Sequence, residues 1–224
     1  LTNAAFPEVP VPLLMLAAAG IGLALGAFNG ALVWIVAIPS IVVTLGALSI
    51  YRGLAFVASG GTSIVGRQMS PAFIAVPRIE VAGLPMMSWF AIMAVIIFAF
   101  ALRATRTGRA FYAAGGNPTA AVYAGINVGK TQFVAFCISG AIAGLCGYLW
   151  ASRYTIAYVD IAGGFELDVI ASCVIGGVSI AGGIGTVAGA VLGALFLGVV
   201  KNALPVTHIS PFWQLAISGV VILG

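Results

Sequence analysis

Charge is nearly missing from this chain of 224 residues: nine lysines and arginines, five acids and one histidine, so that charged residues make up 6% while hydrophobic ones make up 62%. A water-soluble domain of this length needs far more charge to cover its surface. The mean hydropathy of +1.20 therefore points to lipid as the solvent. The net charge of +4 does not call for nucleic acid, because Lys and Arg in such a chain act as topology markers near span ends. Cysteine is scarce too. Cys137, Cys146 and Cys173 each lie inside an apolar run, where a thiol behaves as a small hydrophobe, so neither a disulfide nor a metal site is expected. His208 is the single histidine, between Pro205 and Pro211, and reads as solvated. No nucleophile is paired with a base, so no catalytic residue is assigned and the chain is not read as an enzyme.

What the chain does have is long apolar stretches. They run from Val11 to Val36, Ile38 to Ala58, Met86 to Leu102, Thr131 to Ala151, Leu167 to Ile184 and Gly185 to Leu204, with a seventh starting near Pro211. Crossing the hydrocarbon takes about 20 residues, and backbone groups there must bond one another, so each stretch is predicted to be a helix. The expectation is an all-α polytopic transmembrane bundle, a single domain over residues 1–224. The chain begins with Leu1, shows no signal-peptide pattern, and its last apolar stretch stops early. Both ends read as cut from a longer protein.

The longest polar interruption, Ser59 to Pro85, carries Gly60, Gly61, Pro71 and Pro77 and is predicted to be irregular and outside the hydrocarbon. The next loop, Arg103 to Lys130, is basic: Arg103, Arg106 and Arg109 follow the third stretch at three-residue spacing and Lys130 precedes the fourth. Clustering beside span ends places that loop in the cytoplasm and the Ser59 to Pro85 loop on the periplasmic side. Glycines recur at helical spacing as Gly22, Gly26 and Gly30, as Gly140 and Gly144, and as Gly185, Gly189 and Gly193. Such small-residue faces let helix backbones approach closely, and are read as packing within one subunit rather than as a dimer seam.

Within the basic loop, Asn117 followed by Pro118 is a helix start and Gly125 a left-handed stop. A short helix from Pro118 to Ala124 is predicted between two glycine hinges, Gly115-Gly116 before it and Gly125 after it. Small residues at Ala120 and Ala121 would let it seat in a groove of a partner. Residues Gly183-Ile-Gly-Thr-Val-Ala188 also match a dinucleotide fingerprint, but no strand precedes them, no acid follows at the required distance, and a pyrophosphate cannot sit in lipid. No Walker A pattern occurs either, so the chain itself does not bind ATP.

Ionisable residues inside apolar stretches are costly and mark functional candidates. Glu166 and Asp168 open the fifth stretch, where acids favour a helix N-terminus. Arg52 and Lys201 either snorkel outward or line an entrance. With the aromatic and polar neighbours Tyr154, Phe165 and Asn202, these residues are the candidates for a translocation path.

The stretch Thr119-Ala-Ala-Val-Tyr-Ala-Gly125 resembles the Glu-Ala-Ala-x-x-x-Gly signature by which permeases of ABC importers contact their ATPase. Gly115-Gly-Asn-Pro118, Ala124-Gly-Ile-Asn-Val128, Gly164-Phe-Glu-Leu-Asp-Val-Ile-Ala171, Val174-Ile-Gly-Gly-Val-Ser-Ile-Ala-Gly-Gly183 and Gly185-Thr-Val-Ala-Gly189 resemble, in the same order, the ribose-type sugar permeases. Two positions depart from that pattern: Thr119 replaces the acid, and Lys201 stands where an uncharged polar residue is common. The resemblance implies a type II importer permease of about ten spans, of which this chain would hold the last seven. It implies the bacterial cytoplasmic (inner) membrane, a coupling helix at Gly115, Gly116, Asn117, Pro118, Thr119, Ala120, Ala121 and Gly125, and a monosaccharide-like solute. The partners implied are an ABC ATPase subunit that binds the ATP, a solute-binding protein and a second permease copy. The alternatives are a branched-chain amino acid permease and, further off, a secondary transporter or channel.

Overall fold

A computed structural model describes residues 10–206. Nine α-helices follow one another among them: α1 (Val11–Trp34), α2 (Ser40–Ser59), α3 (Pro71–Ala75), α4 (Met86–Ala104), α5 (Arg106–Gly116), α6 (Pro118–Tyr123), α7 (Val128–Tyr154), α8 (Phe165–Ile175) and α9 (Val187–Val206). Strand is confined to four two-residue pieces, β1 (Ile64–Val65), β2 (Glu80–Val81), β3 (Leu84–Pro85) and β4 (Ile156–Ala157). The fold is all-α. Helices α1, α2, α4 and α7 are long and apolar enough to cross a membrane. The shortest, α4, has 19 residues and so rises about 28 Å, close to the hydrocarbon thickness. Large apolar side chains such as Leu16, Ile41, Phe100 and Leu192 stand exposed, which suits a chain whose surroundings are lipid.

The described chain divides into two compact units, residues 10–91 with 127–161 and residues 92–126 with 162–206. In the first unit α1 and α7 run antiparallel along their lengths, and the glycines set the contact. A β-carbon added to Gly22 would lie 2.9 Å from Gly144 Cα, and one on Gly26 would lie 3.0 Å from Gly140 Cα. The two small-residue faces are thus one joint, closed at its end by Trp34 on Phe133 with ring centroids 5.5 Å apart. At the other end of α7 sits the predicted irregular loop, and it is more ordered than its composition suggested. Ser70 caps α3 by accepting from the Phe73 amide. Phe73 is buried edge-on against Tyr148, with centroids 4.9 Å apart, and its carbonyl accepts the Ser152 hydroxyl at 2.5 Å. β1 pairs antiparallel with β4, and β2 with β3. Phe73 is an apolar anchor that pulls the loop onto the helix end.

In the second unit the expected span from Leu167 to Ile184 is not continuous. α8 stops at Ile175 after 11 residues, a rise of about 16 Å, roughly half of what a span needs. Residues 176–186 are non-helical. Gly177, Gly182 and Gly183 take positive φ there, a conformation open to glycine and closed to most residues. Hydropathy registers the stretch as apolar and is blind to this break. α9 then packs antiparallel on α8: a β-carbon on Gly193 would lie 2.7 Å from the Gly176 amide, and one on Gly189 would collide with the same backbone. The expected stripe of Gly185, Gly189 and Gly193 is therefore a packing face, although Gly185 itself precedes the helix and lies against Val178. Helix α5 occupies a stretch whose composition reads as loop. Its start is written by Thr105, whose hydroxyl accepts from the Gly108 amide at 3.0 Å, and by arginines at helical spacing. The seventh stretch and His208 lie outside the described residues.

The α1–α7 joint yields a test. Gly140→Leu must force two backbones apart and is expected to cost at least about 1–3 kcal/mol. The loss is read as a lower melting temperature in detergent. Gly20→Leu is the control, since a β-carbon there meets nothing within 4 Å; equal melting of the two variants would overturn the joint.

Candidate functional site

The short helix α6 has the caps its sequence specifies. Asn117 Oδ1 accepts from the Ala120 amide at 3.0 Å, and Pro118 holds the first turn. At the other end Gly125 sits at φ 79°. Its amide donates to the Val122 carbonyl, and the Ile126 amide donates to that of Ala121, each at 2.9 Å. This reciprocal pair is a Schellman stop, which needs a left-handed residue where Gly125 stands. A second cap follows at once: Asn127 Oδ1 accepts from the Lys130 amide at 2.8 Å and starts α7.

Two expectations about this segment change. Gly115 and Gly116 are not hinges, since both lie in the last turn of α5. Their lack of side chains serves contact instead. A β-carbon on Gly115 would lie 2.6 Å from the Gly183 amide, so the end of α5 rests backbone on backbone against the break after α8. Tyr112 strengthens that contact by donating to the Gly185 carbonyl at 2.9 Å. Ala121, expected to seat in a partner, is only 3% exposed and is buried within the chain itself. The outward face of α6 consists of Thr119, Ala120, Val122 and Tyr123, with Tyr123 88% exposed. Sequence reasoning passed over Tyr123. Its face is fixed only by the burial of Ala121, which the structure shows and the sequence does not, since that burial sets the opposite side of a single-turn helix outward.

The path candidates separate into local pairs. In the first unit Arg52 lies 3.6 Å from Asp160, a pairing between largely exposed side chains. Tyr154 packs at a tilt of 41° against Trp150, with ring centroids 5.0 Å apart. In the second unit Lys201 on α9 forms an ion pair with Asp168 on α8, and the carboxylate side chain is only 14% exposed. Asp168 thus stands with Glu166 in the first turn of α8, as expected of acids at a helix N-terminus, and in addition joins α8 to α9. The antiparallel register explains the pairing. Gly176 meets Gly189 and Ser172 meets Gly193, so one further turn sets Asp168 opposite Leu197, and Lys201, a turn beyond, reaches back toward the start of its own helix to meet it. Asn202 donates to the Gly198 carbonyl of its own helix at 2.9 Å. Glu166 and Phe165 lie exposed in the first turn of α8. Among the described residues, no group of His, Cys, Asp and Glu could hold a metal ion, and the three cysteines are free.

Apolar spans, a span broken at glycines, and a helix end resting backbone on backbone against that break define a multi-pass helical membrane protein. The chain belongs to the family described as branched-chain amino acid transport system / permease component, whose model matches residues 1–224. It is 39% identical over 214 residues to the autoinducer 2 import system permease protein LsrC of Enterobacter sp. (strain 638), covering 96% of this chain and 62% of that protein. It is 37% identical over 220 residues to LsrC of Salmonella paratyphi B, covering 96% and 61%, and 36% identical over 214 residues to LsrC of Escherichia coli (strain K12 / DH10B), covering 96% and 62%. The chain spans about three fifths of the length of these relatives. No solved structure matches it.

The Asp168–Lys201 pair makes a separate prediction. Asp168→Asn leaves an ammonium without its counter-charge between two helices. The expected loss is about 1–3 kcal/mol, less than for a fully buried pair because Lys201 keeps 28% of its side chain exposed. Asp168→Leu combined with Lys201→Leu should recover most of it. Detergent melting of the three proteins is the measurement, and a double variant no better than the single one would show that the pair is not the cause.

Proposed function

We propose that this chain is the larger part of the membrane-spanning permease subunit of an ATP-driven importer in the bacterial cytoplasmic membrane, moving a monosaccharide-like solute. The observation that carries the reading is the capped helix α6, which presents Thr119, Ala120, Val122 and Tyr123 outward while the preceding helix is fastened to the break after α8. A partner pressing on α6 therefore acts on a segment already joined to the interrupted span. ATP is bound by that partner, an ABC ATPase. A solute-binding protein delivers the solute on the opposite side, and a second permease copy completes the path. The relatives named for import of autoinducer 2, a sugar-like molecule, support the solute class. A branched-chain amino acid is the second reading, favoured by the family's description.

In this reading the loop from Arg103 to Lys130 is cytoplasmic and the loop from Ser59 to Pro85 periplasmic. The first unit supports opposite sides: Lys130 lies in the first turn of α7, whereas Phe73 and β1 are held at its far end. Cysteines placed singly at Thr107 and Ser63, in a protein lacking the native three, can be probed with an impermeant thiol reagent on intact cells. Labelling at Ser63 alone is expected, and labelling at Thr107 alone would reverse the topology.

Coupling is tested on the exposed face of α6. Tyr123→Arg removes an aromatic anchor and should weaken ATPase association or uncouple hydrolysis from uptake, while leaving insertion intact. The expected loss in association is about tenfold or more, the usual range for a buried aromatic at an interface. Ala121→Arg is a different test, because it must first disrupt the packing of α6 on its own chain. Reconstituted vesicles report uptake and ATPase stimulation together; parent values for Tyr123→Arg would return α6 to an ordinary surface helix.

A further inference from the structure

Helix α2 stands off from the tightly joined α1 and α7, and between the three lies a cleft of about 590 Å³. The glycine joint of Gly22, Gly26, Gly140 and Gly144 lies along it, and Ile21, Leu25 and Phe136 add apolar wall. Four uncharged hydrogen-bonding residues line it: Asn29 of α1, Thr44 and Tyr51 of α2, and Ser139 of α7. Polar groups among membrane-crossing helices are costly, and they persist where they meet water, a partner or a substrate. The Tyr51 hydroxyl lies 2.8 Å from Asn29 Oδ1 and 3.1 Å from the Leu25 carbonyl, so it ties α2 to α1. That bond occupies the amide oxygen of Asn29 and leaves both amide N–H donors for another acceptor. None is found among the described residues. Thr44 donates to the Ile41 carbonyl within its own helix, keeping its lone pairs for a further donor.

The volume falls within the range of about 300–1,000 Å³ typical of small-molecule sites, which pair apolar walls with a few convergent polar groups. The lining holds no charged residue. A zwitterionic amino acid would bring a carboxylate and an ammonium into a wall unable to pair either, at a cost that neutral hydroxyls avoid. We propose that the cleft between α1, α2 and α7 binds a neutral, polyhydroxylated solute, with Asn29 and Ser139 donating to its oxygens and Tyr51 and Thr44 accepting from its hydroxyls. The proposal rests on the importer reading given above and adds to it both a location and a reason for sugar over amino acid.

The test uses the complete permease, reconstituted with its ATPase and binding protein, with Cys137, Cys146 and Cys173 replaced and Ser139→Cys introduced. The cysteine thiolate, which forms only where water reaches the sulfur, attacks a methanethiosulfonate reagent to give a mixed disulfide and release methanesulfinate. Labelling is expected. With ribose or autoinducer 2 at about ten times the half-saturating concentration, occupancy should slow labelling about tenfold, while leucine leaves it unchanged. Absence of labelling would mean that lipid or another helix fills the cleft and would overturn the proposal. So would labelling that neither sugar slows, or that leucine slows. Asn29→Leu is the second variant, with an expected uptake loss of about tenfold at parent expression, and Asn29→Gln restoring part of it. Uptake by the parent distinguishes the two readings. ATP-driven sugar uptake without protection of Ser139→Cys removes the cleft and keeps the importer. Protection without ATP-driven uptake keeps the cleft and removes the importer.

Discussion

Lipid offers apolar side chains no reward for clustering, so helices in it must gain by bringing backbones together. This chain does so at three joints. Gly22 and Gly26 meet Gly140 and Gly144 between α1 and α7; Gly189 and Gly193 meet Gly176 between α9 and α8; Gly115 meets Gly183 between α5 and the break. Each joint has backbone on both sides, so neither partner can yield by turning a side chain. The other features hang on these contacts. The first lies along the cleft, the second sets the register that lets Lys201 reach Asp168, and the third connects the α5–α6 segment to the interrupted span.

Much of this was legible in the residues, for identifiable reasons. Four spans announced themselves by length and apolarity, and α6 by Asn117, Pro118 and Gly125, because caps are local chemistry that needs no tertiary knowledge. The glycine stripes were visible as stripes. Which stripe meets which was not, since spacing names a face and never its partner. The break after α8 escaped for a related reason: hydropathy averages over Gly176, Gly177, Gly182 and Gly183 without asking whether a helix can pass through them. Arg106 and Arg109 stand at three-residue spacing as topology markers, and charge by itself does not reveal that α5, capped by Thr105, lies there.

The candidate path residues show the same limit at the level of side chains. Arg52, Asp168 and Lys201 were chosen because a charge among apolar residues is costly, and the cost is real. Its resolution is local pairing, Arg52 beside Asp160 and Asp168 with Lys201. The quieter residues Asn29, Thr44, Tyr51 and Ser139 carry no charge and raise no alarm in a sequence. They become notable only when three helices bring them around one space.

The strands β1 and β4, two residues each, join the segment before α4 to the segment after α7, and the Ser152–Phe73 bond adds a second stitch nearby. Chain continuity through the intervening loop is then redundant in this unit, since Arg78 is exposed and both flanking pieces are held elsewhere. The protein should accordingly tolerate being made as two polypeptides divided at Arg78. α1, α2 and the clasping strand would travel with one piece and α7 with the other, and a tag on either should purify both.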